Sequence, residues 1–147
     1  MSSTITMNSE MKRFNHLTTE IDAAYHEAAL KFGLSDSAML ILYTICSNGK
    51  ECLLNDITRL SGISKQTVNS ALRKLESNGI VQLEVYGGRM KKICLTDKGI
   101  RLTNDTVLNI IKAENEIFAS WTNKERELYL ELTQRYLDAF RNKVKEF

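Results

Sequence analysis

The 147-residue sequence has no proline, only three cysteines and two histidines, and almost no excess of charge of either sign. Without proline there is no proline-rich linker or polyproline segment. Gly/Ser-rich linkers, internal repeats and low-complexity runs are missing too, so the chain reads as one domain with a frayed start of about ten residues. Cys46, Cys52 and Cys94 are odd in number and none is paired across a two-residue gap. That argues against a disulfide framework and a zinc ribbon and makes reduced thiols the expectation. The longest nearly apolar stretch, 38–46, is too short to cross a bilayer. The polar start Met1-Ser2-Ser3-Thr4 lacks a charged region followed by an apolar one, so a cytoplasmic protein is expected. His16 and His26 are ten residues apart on one helical stretch, roughly 1000° of rotation, so they fall on different faces and do not suit a shared metal site or a catalytic pair. With no phosphate-cradling loop, Cys-His pairing or carboxylate cluster, neither an enzyme nor a cofactor is expected.

What is present is ordinary in amount and informative in placement. Hydrophobic residues make up 43% and charged residues 26%, the balance of a chain that can bury a core. The net charge of +2 says nothing about nucleic acid, but between Asp56 and Lys92 seven basic residues face three acidic ones, leaving the rest slightly acidic. Phe14, Leu17, Ile21, Ala24, Ala28 and Phe32 recur at helical steps and predict a helix over about 10–32, stopped by Gly33. Ser35 predicts the cap of a second helix, apolar nearly all round and therefore buried, running to Asn48-Gly49. A short helix follows, starting near Asn55 or Asp56 with Ile57 and Leu60 inward and ending at Ser61-Gly62. Ser64 then caps the next, whose Val68, Ala71, Leu72 and Leu75 form one apolar face up to Asn78-Gly79. Two helices meeting at a short glycine-containing turn predict a helix-turn-helix.

Val81, Leu83 and Val85 then alternate with polar residues, Gly87-Gly88 predicts a two-residue turn, and Ile93 and Leu95 alternate on the return, giving a β-hairpin. Thr96 caps a long helix carrying Leu102, Val107, Ile110, Ile111, Ile117 and Phe118, and a last helix carries Leu128, Leu132, Tyr136, Ala139 and Phe140. The expected fold is mainly α with a small β-hairpin wing: a winged helix-turn-helix over 35–99, with long dimerisation helices in 1–34 and 100–147.

Opposite the apolar face of the 64–78 helix, a step of about 100° per residue turns Gln66, Ser70, Arg73 and Ser77 outward, flanked by Thr67, Asn69 and Lys74, with Ser64 and Lys65 at its start. These types read bases and hold phosphates: Gln and Asn pair with adenine, Arg and Lys with guanine, Ser and Thr with bases or phosphates. No acid interrupts the chain from Ile57 to Leu75. At the hairpin tip Arg89, Lys91 and Lys92 are placed to reach a phosphate or the minor groove, although lysine on an edge strand also discourages sheet aggregation. The competing readings are a winged-helix module that binds another protein, and a regulator switched through the thiol of Cys52.

GLSDSAMLILY at 33–43, SGISKQTVNSALRKLESNGIV at 61–81, and Arg89 followed by LTDKG at 95–99 resemble the MarR family of winged-helix transcription regulators over about 12–145. The resemblance implies an obligate homodimer built from the first and the last two helices. It also implies a pseudo-palindromic double-stranded DNA operator, major-groove reading by Ser64 to Lys74, a minor-groove arginine at Arg89, and a repressor more often than an activator. Many members carry an aspartate two residues before that arginine, where this chain has Gly87. The reactive first-helix cysteine of peroxide-sensing members and the histidines of zinc-sensing members are missing, which leaves relief by a small aromatic or phenolic ligand as the implied control. The residues that would line its crevice are not identified by the sequence.

Overall fold

The computed structural model of the chain describes residues 3–147. Their order is α1 (Ser9–Phe32), α2 (Asp36–Ser47), β1 (Glu51–Leu53), α3 (Leu54–Ser61), α4 (Lys65–Ser77), β2 (Val81–Tyr86), β3 (Met90–Leu95), α5 (Asp97–Asp105), α6 (Val107–Ala119) and α7 (Asn123–Val144). The chain divides into two compact units, one ending at Leu108 and one running from Asn109 to Phe147. Among the described residues no single helix is long and apolar enough to cross a membrane.

Helix ends follow local chemistry. The side chains of Ser35, Ser64 and Thr96 accept from the amides of Ala38, Thr67 and Gly99, satisfying donors that the first helical turn leaves free. Gly33 closes α1 in the left-handed region at φ 69°, its amide reaching the carbonyls of Ala29 and Leu30. Two caps were not expected from the sequence. Asn8 accepts from Glu10 and Met11, and Thr122 with Glu125 closes a reciprocal capping box at the start of α7. The amide and hydroxyl of Thr122 hold the Glu125 carboxyl below its usual value.

The core of the first unit forms around α2, whose Ile41, Leu42 and Ile45 are fully buried together with Ile57 of α3, Val68 of α4, Val81 of β2 and Ile93 of β3. Gly62, at φ 71°, turns α3 into α4. The helix-turn-helix and the hairpin are thus as expected, and four details differ. The segment around Cys52, left between two predicted helices by the sequence, is strand β1. It pairs antiparallel with β3 (Cys52 opposite Ile93) and makes a sheet of order β1-β3-β2. The hairpin pairs Tyr86 with Met90, so its loop is the three residues Gly87, Gly88 and Arg89 rather than two. Leu60 is 48% exposed, because the eight-residue α3 buries a single narrow face centred on Ile57. The long helix after the wing is broken at Thr106 (φ −128°, ψ −95°), where the hydroxyl bonds back to Leu102 O at 2.7 Å, a competition for the helix ladder typical of threonine.

One clasp sets the root of the wing. Thr96 donates its amide to Ile80 O at 3.1 Å, its hydroxyl lies against the carbonyls of Gly79 and Ile80, and Lys98 Nζ donates to Asn78 O at 2.9 Å. The chain leaving α4 is thereby tied to the start of α5, across the whole hairpin in sequence.

In the second unit Trp121 stacks on Phe118 at 5.0 Å and meets Tyr129 edge-on at 5.3 Å. Arg126 donates to the carbonyls of Phe118 and Trp121, satisfying the turn between α6 and α7.

Candidate nucleic-acid interface

α4 is amphipathic by its own sequence. Val68, Leu72 and Leu75 anchor it, and that anchoring turns Gln66, Ser70, Arg73 and Ser77 fully outward. Ser64 and Thr67 are occupied locally: the Ser64 hydroxyl accepts from Thr67 N at 3.2 Å and donates to the Thr67 hydroxyl at 2.8 Å. Both therefore act first as the cap that fixes where the helix begins. Lys65, Gln66, Asn69, Ser70, Arg73 and Lys74, by contrast, make no side-chain hydrogen bond or ion pair among the described residues, so their donors are free for a ligand.

α4 is flanked by two concave surfaces. On one side Lys65, Asn69, Arg73 and Glu76 form a cleft with Leu53, Leu54 and Asn55 from the β1–α3 junction and with Leu83, Arg89, Met90 and Lys91 of the wing. Its lining combines apolar side chains with four cations, Lys65, Arg73, Arg89 and Lys91. On the other side Gln66, Thr67, Ser70 and Lys74 form a shallower groove with Ser35 and Ser37 at the start of α2. A convex helix between two hollows suits a duplex groove, with the helix towards the bases and the hollows towards the flanking backbones.

The structure separates the three basic wing residues. Arg89 and Lys91 line the cleft and have no acidic partner among the described residues. Lys92 points to the other face of the sheet, 3.2 Å from Glu51 and 3.6 Å from Glu84, and the hydrogen bond to Glu51 raises its pKa. The register explains this: Lys92 sits opposite Glu84 on β2 and diagonal to Glu51 on β1. Gly87 and Gly88 carry the loop at φ 58° and 88°, in the left-handed region that glycine adopts without steric cost.

Asn55, Ser37 and Glu76 belong to these hollows and were not singled out by sequence. Asn55 read only as a helix start, and Ser37 carries no periodic signal that would mark it. The cysteines lie elsewhere. Burial pushes the thiols of Cys46 and Cys52 up, as it does that of Cys94, so none has the electropositive, exposed setting that makes a thiolate reactive. His26 Nδ1 lies 2.8 Å from Asp36 and His16 Nε2 3.2 Å from Glu20, each on its own carboxylate.

Against known proteins, a MarR family model matches residues 32–89. No curated protein sequence matches the chain. Among solved structures, NMB1585, a MarR family regulator from Neisseria meningitidis, superposes with a TM-score of 0.81 at 16% identity, covering 95% of this chain and 99% of that one. MepR of Staphylococcus aureus, solved as a DNA complex, gives 0.66 at 19% identity over 91% and 99%. BpsR of Bordetella bronchiseptica, whose DNA binding is regulated by 6-hydroxynicotinic acid, gives 0.61 at 17% identity over 84% and 98%. The fold is the MarR winged-helix fold along nearly the whole chain.

Proposed function

We propose that the chain, whose residues 32–89 match a MarR family model, is a homodimeric, sequence-specific DNA-binding transcription regulator that represses by occupying its operator. The observation that carries this reading is the outward face of α4: six polar or basic side chains, none engaged among the described residues, beside a cleft lined by Lys65, Arg73, Arg89 and Lys91. Solvated helices usually mix both charge signs, and this one has no acid before its last turn. The same face lacks the aromatic anchors that dominate protein–protein hot spots, which weighs against a protein-binding module.

Two apolar surfaces support the dimer. On α1, Phe14, Leu17 and Ile21 are exposed along one stripe; on α7, Leu128, Leu132, Tyr136 and Phe140 are exposed likewise. A single chain leaves both stripes exposed, and contiguous exposed apolar surface of this kind marks protein–protein contact. The functional division that follows is 1–34 and 100–147 for dimerisation and 35–99 for DNA. Two-fold symmetry then calls for a pseudo-palindromic operator with half-sites about 10 base pairs apart. Control by a small aromatic acid is supported by the likeness to BpsR, and requires a ligand whose affinity differs between DNA-competent and incompetent dimers.

The test is selection of bound duplexes from a random pool at about physiological salt, with the oligomeric state measured in parallel. A two-fold motif bound by a dimer is the expected result; a monomer, or a pool without enrichment, would refute the reading.

Within that reading the wing makes a sharper prediction. Arg89→Ala should weaken binding and reduce the slope of log affinity against log salt by about one unit per neutralised phosphate. Lys92→Ala should leave the slope alone, since Glu51 and Glu84 already compensate Lys92. Equal slopes for Arg89→Ala and wild type would remove Arg89 from the contacts.

A further inference from the structure

Resting on the DNA-binding reading, we infer that Glu76 is a specificity-determining residue: a carboxylate set inside the cationic cleft that opposes close approach of duplex backbone and so suppresses binding to non-operator DNA.

Acids are scarce on this surface. Between Ile57 and Lys92 there are two, Glu76 and Glu84. Glu84 is committed to Lys92 on the other face of the sheet. Glu76 lines the cleft with Lys65, Arg73, Arg89 and Lys91, yet forms no ion pair with any of them among the described residues. It is exposed, so its charge is not buried for the sake of packing.

Helix stability does not explain the position either. Glu76 occupies the last turn of α4, one residue before Ser77, where the carbonyl ends of the helix disfavour a negative charge. Its chemistry towards DNA is one-sided. A carboxylate accepts from base amino groups but has nothing to donate to a phosphate, and a step of about 100° per residue turns Glu76 off the outward line of Gln66, Ser70, Arg73 and Ser77, towards the wing-side cleft. The wing-side cleft is where a phosphate backbone would run, so the charge of Glu76 acts there as repulsion.

Non-operator binding is almost wholly backbone electrostatics, whereas operator binding adds base contacts and a fixed register. Base contacts hold the operator in one register, in which its backbone can stay clear of Glu76, whereas non-operator DNA, held by its backbone alone, takes registers that bring a phosphate against the carboxylate; the repulsion then costs non-operator binding more, which raises specificity without any new attractive contact. The cations in the cleft supply the affinity and Glu76 sets how much of it is available to any sequence.

The experiment compares full-length wild type, Glu76→Gln and Asp105→Asn, the last making the same charge change at another helix end, on α5 and outside the cleft. Affinity is measured at several salt concentrations for a random-sequence duplex and for the duplex enriched by selection. Glu76→Gln is expected to bind the random duplex about threefold or more tighter at low salt, with a smaller gain on the enriched duplex and convergence with wild type as salt screens the charge. Asp105→Asn is expected to match wild type. Equal gains for both variants would make this a net-charge effect and overturn the inference, as would an unchanged random-duplex affinity for Glu76→Gln. If wild type itself binds neither duplex at low salt, the DNA-binding reading fails, and that outcome is told apart from the others by the wild-type curve alone. A melting temperature of Glu76→Gln at or above that of wild type excludes partial unfolding as the source of any difference.

Discussion

Gly99→Ala should lower the melting temperature by about 10 °C, the largest effect of any glycine-to-alanine change in this protein. A Cβ at Gly99 would stand 2.1 Å from the carbonyl oxygen of Ile80 and 3.1 Å from its carbonyl carbon. Neither atom can yield cheaply. Ile80 O accepts the amide of Thr96, and the Thr96 hydroxyl that lies beside it caps α5 through Gly99 N at 3.0 Å. Relieving the overlap means moving the first turn of α5 away from the wing root and opening the clasp, a cost of about 3 kcal/mol or more.

Gly79 provides the comparison. It is left-handed at φ 73°, and a Cβ there meets nothing nearer than Lys98 Cδ at 4.0 Å, so Gly79→Ala pays only the backbone penalty of about 1–2 kcal/mol. Thermal unfolding of both variants should rank Gly99→Ala well below Gly79→Ala. A Gly99→Ala protein that melts within about 2 °C of wild type would show that α5 and the wing are not held together as described.

Arg73→Ala should weaken binding to the selected operator by about 1–3 kcal/mol per half-site contact and relax base preference at one position in each half-site. The side chain is exposed on α4, lines the wing-side cleft, and has no hydrogen-bond or ion-pair partner among the described residues, so its removal breaks no such contact there. Folding stability should therefore stay within about 0.5 kcal/mol of wild type, which separates a recognition defect from a folding defect. Arg73→Lys refines the test. Lysine keeps the charge but not the planar fork, so the salt slope should survive while the base preference does not. If both variants select the same motif with the same affinity as wild type, Arg73 reads no base.

The outward set on α4 was legible in the sequence because a single helical period, with Val68, Leu72 and Leu75 on one side, determines what lies opposite. The caps at Ser35, Ser64 and Thr96 were legible for a similar reason: each acts on amides two or three residues away. The short range of that chemistry also explains the misses. β1 has three residues and becomes a strand only by pairing with β3, forty residues on, so nothing local distinguishes Glu51–Leu53 from a loop. The break at Thr106 lies inside an apolar periodicity that continues through it, and the threonine's bond to Leu102 shows only once the backbone is in place.

The sequence by itself determined the helical faces, the stops at Gly33, Gly62 and Gly79, the wing, and the concentration of basic residues near it, because each depends on neighbours within a turn or a hairpin. Only the tertiary structure decided which of those charges act together. Lys91 and Lys92 are adjacent in the chain, yet strand pleating sends Lys91 to the cleft and Lys92 to Glu51 and Glu84. Glu76, unremarkable in the sequence, ends among four cations brought from α4 and the wing. Charges interact through space over a few ångströms, and that proximity is set by packing rather than by order along the chain.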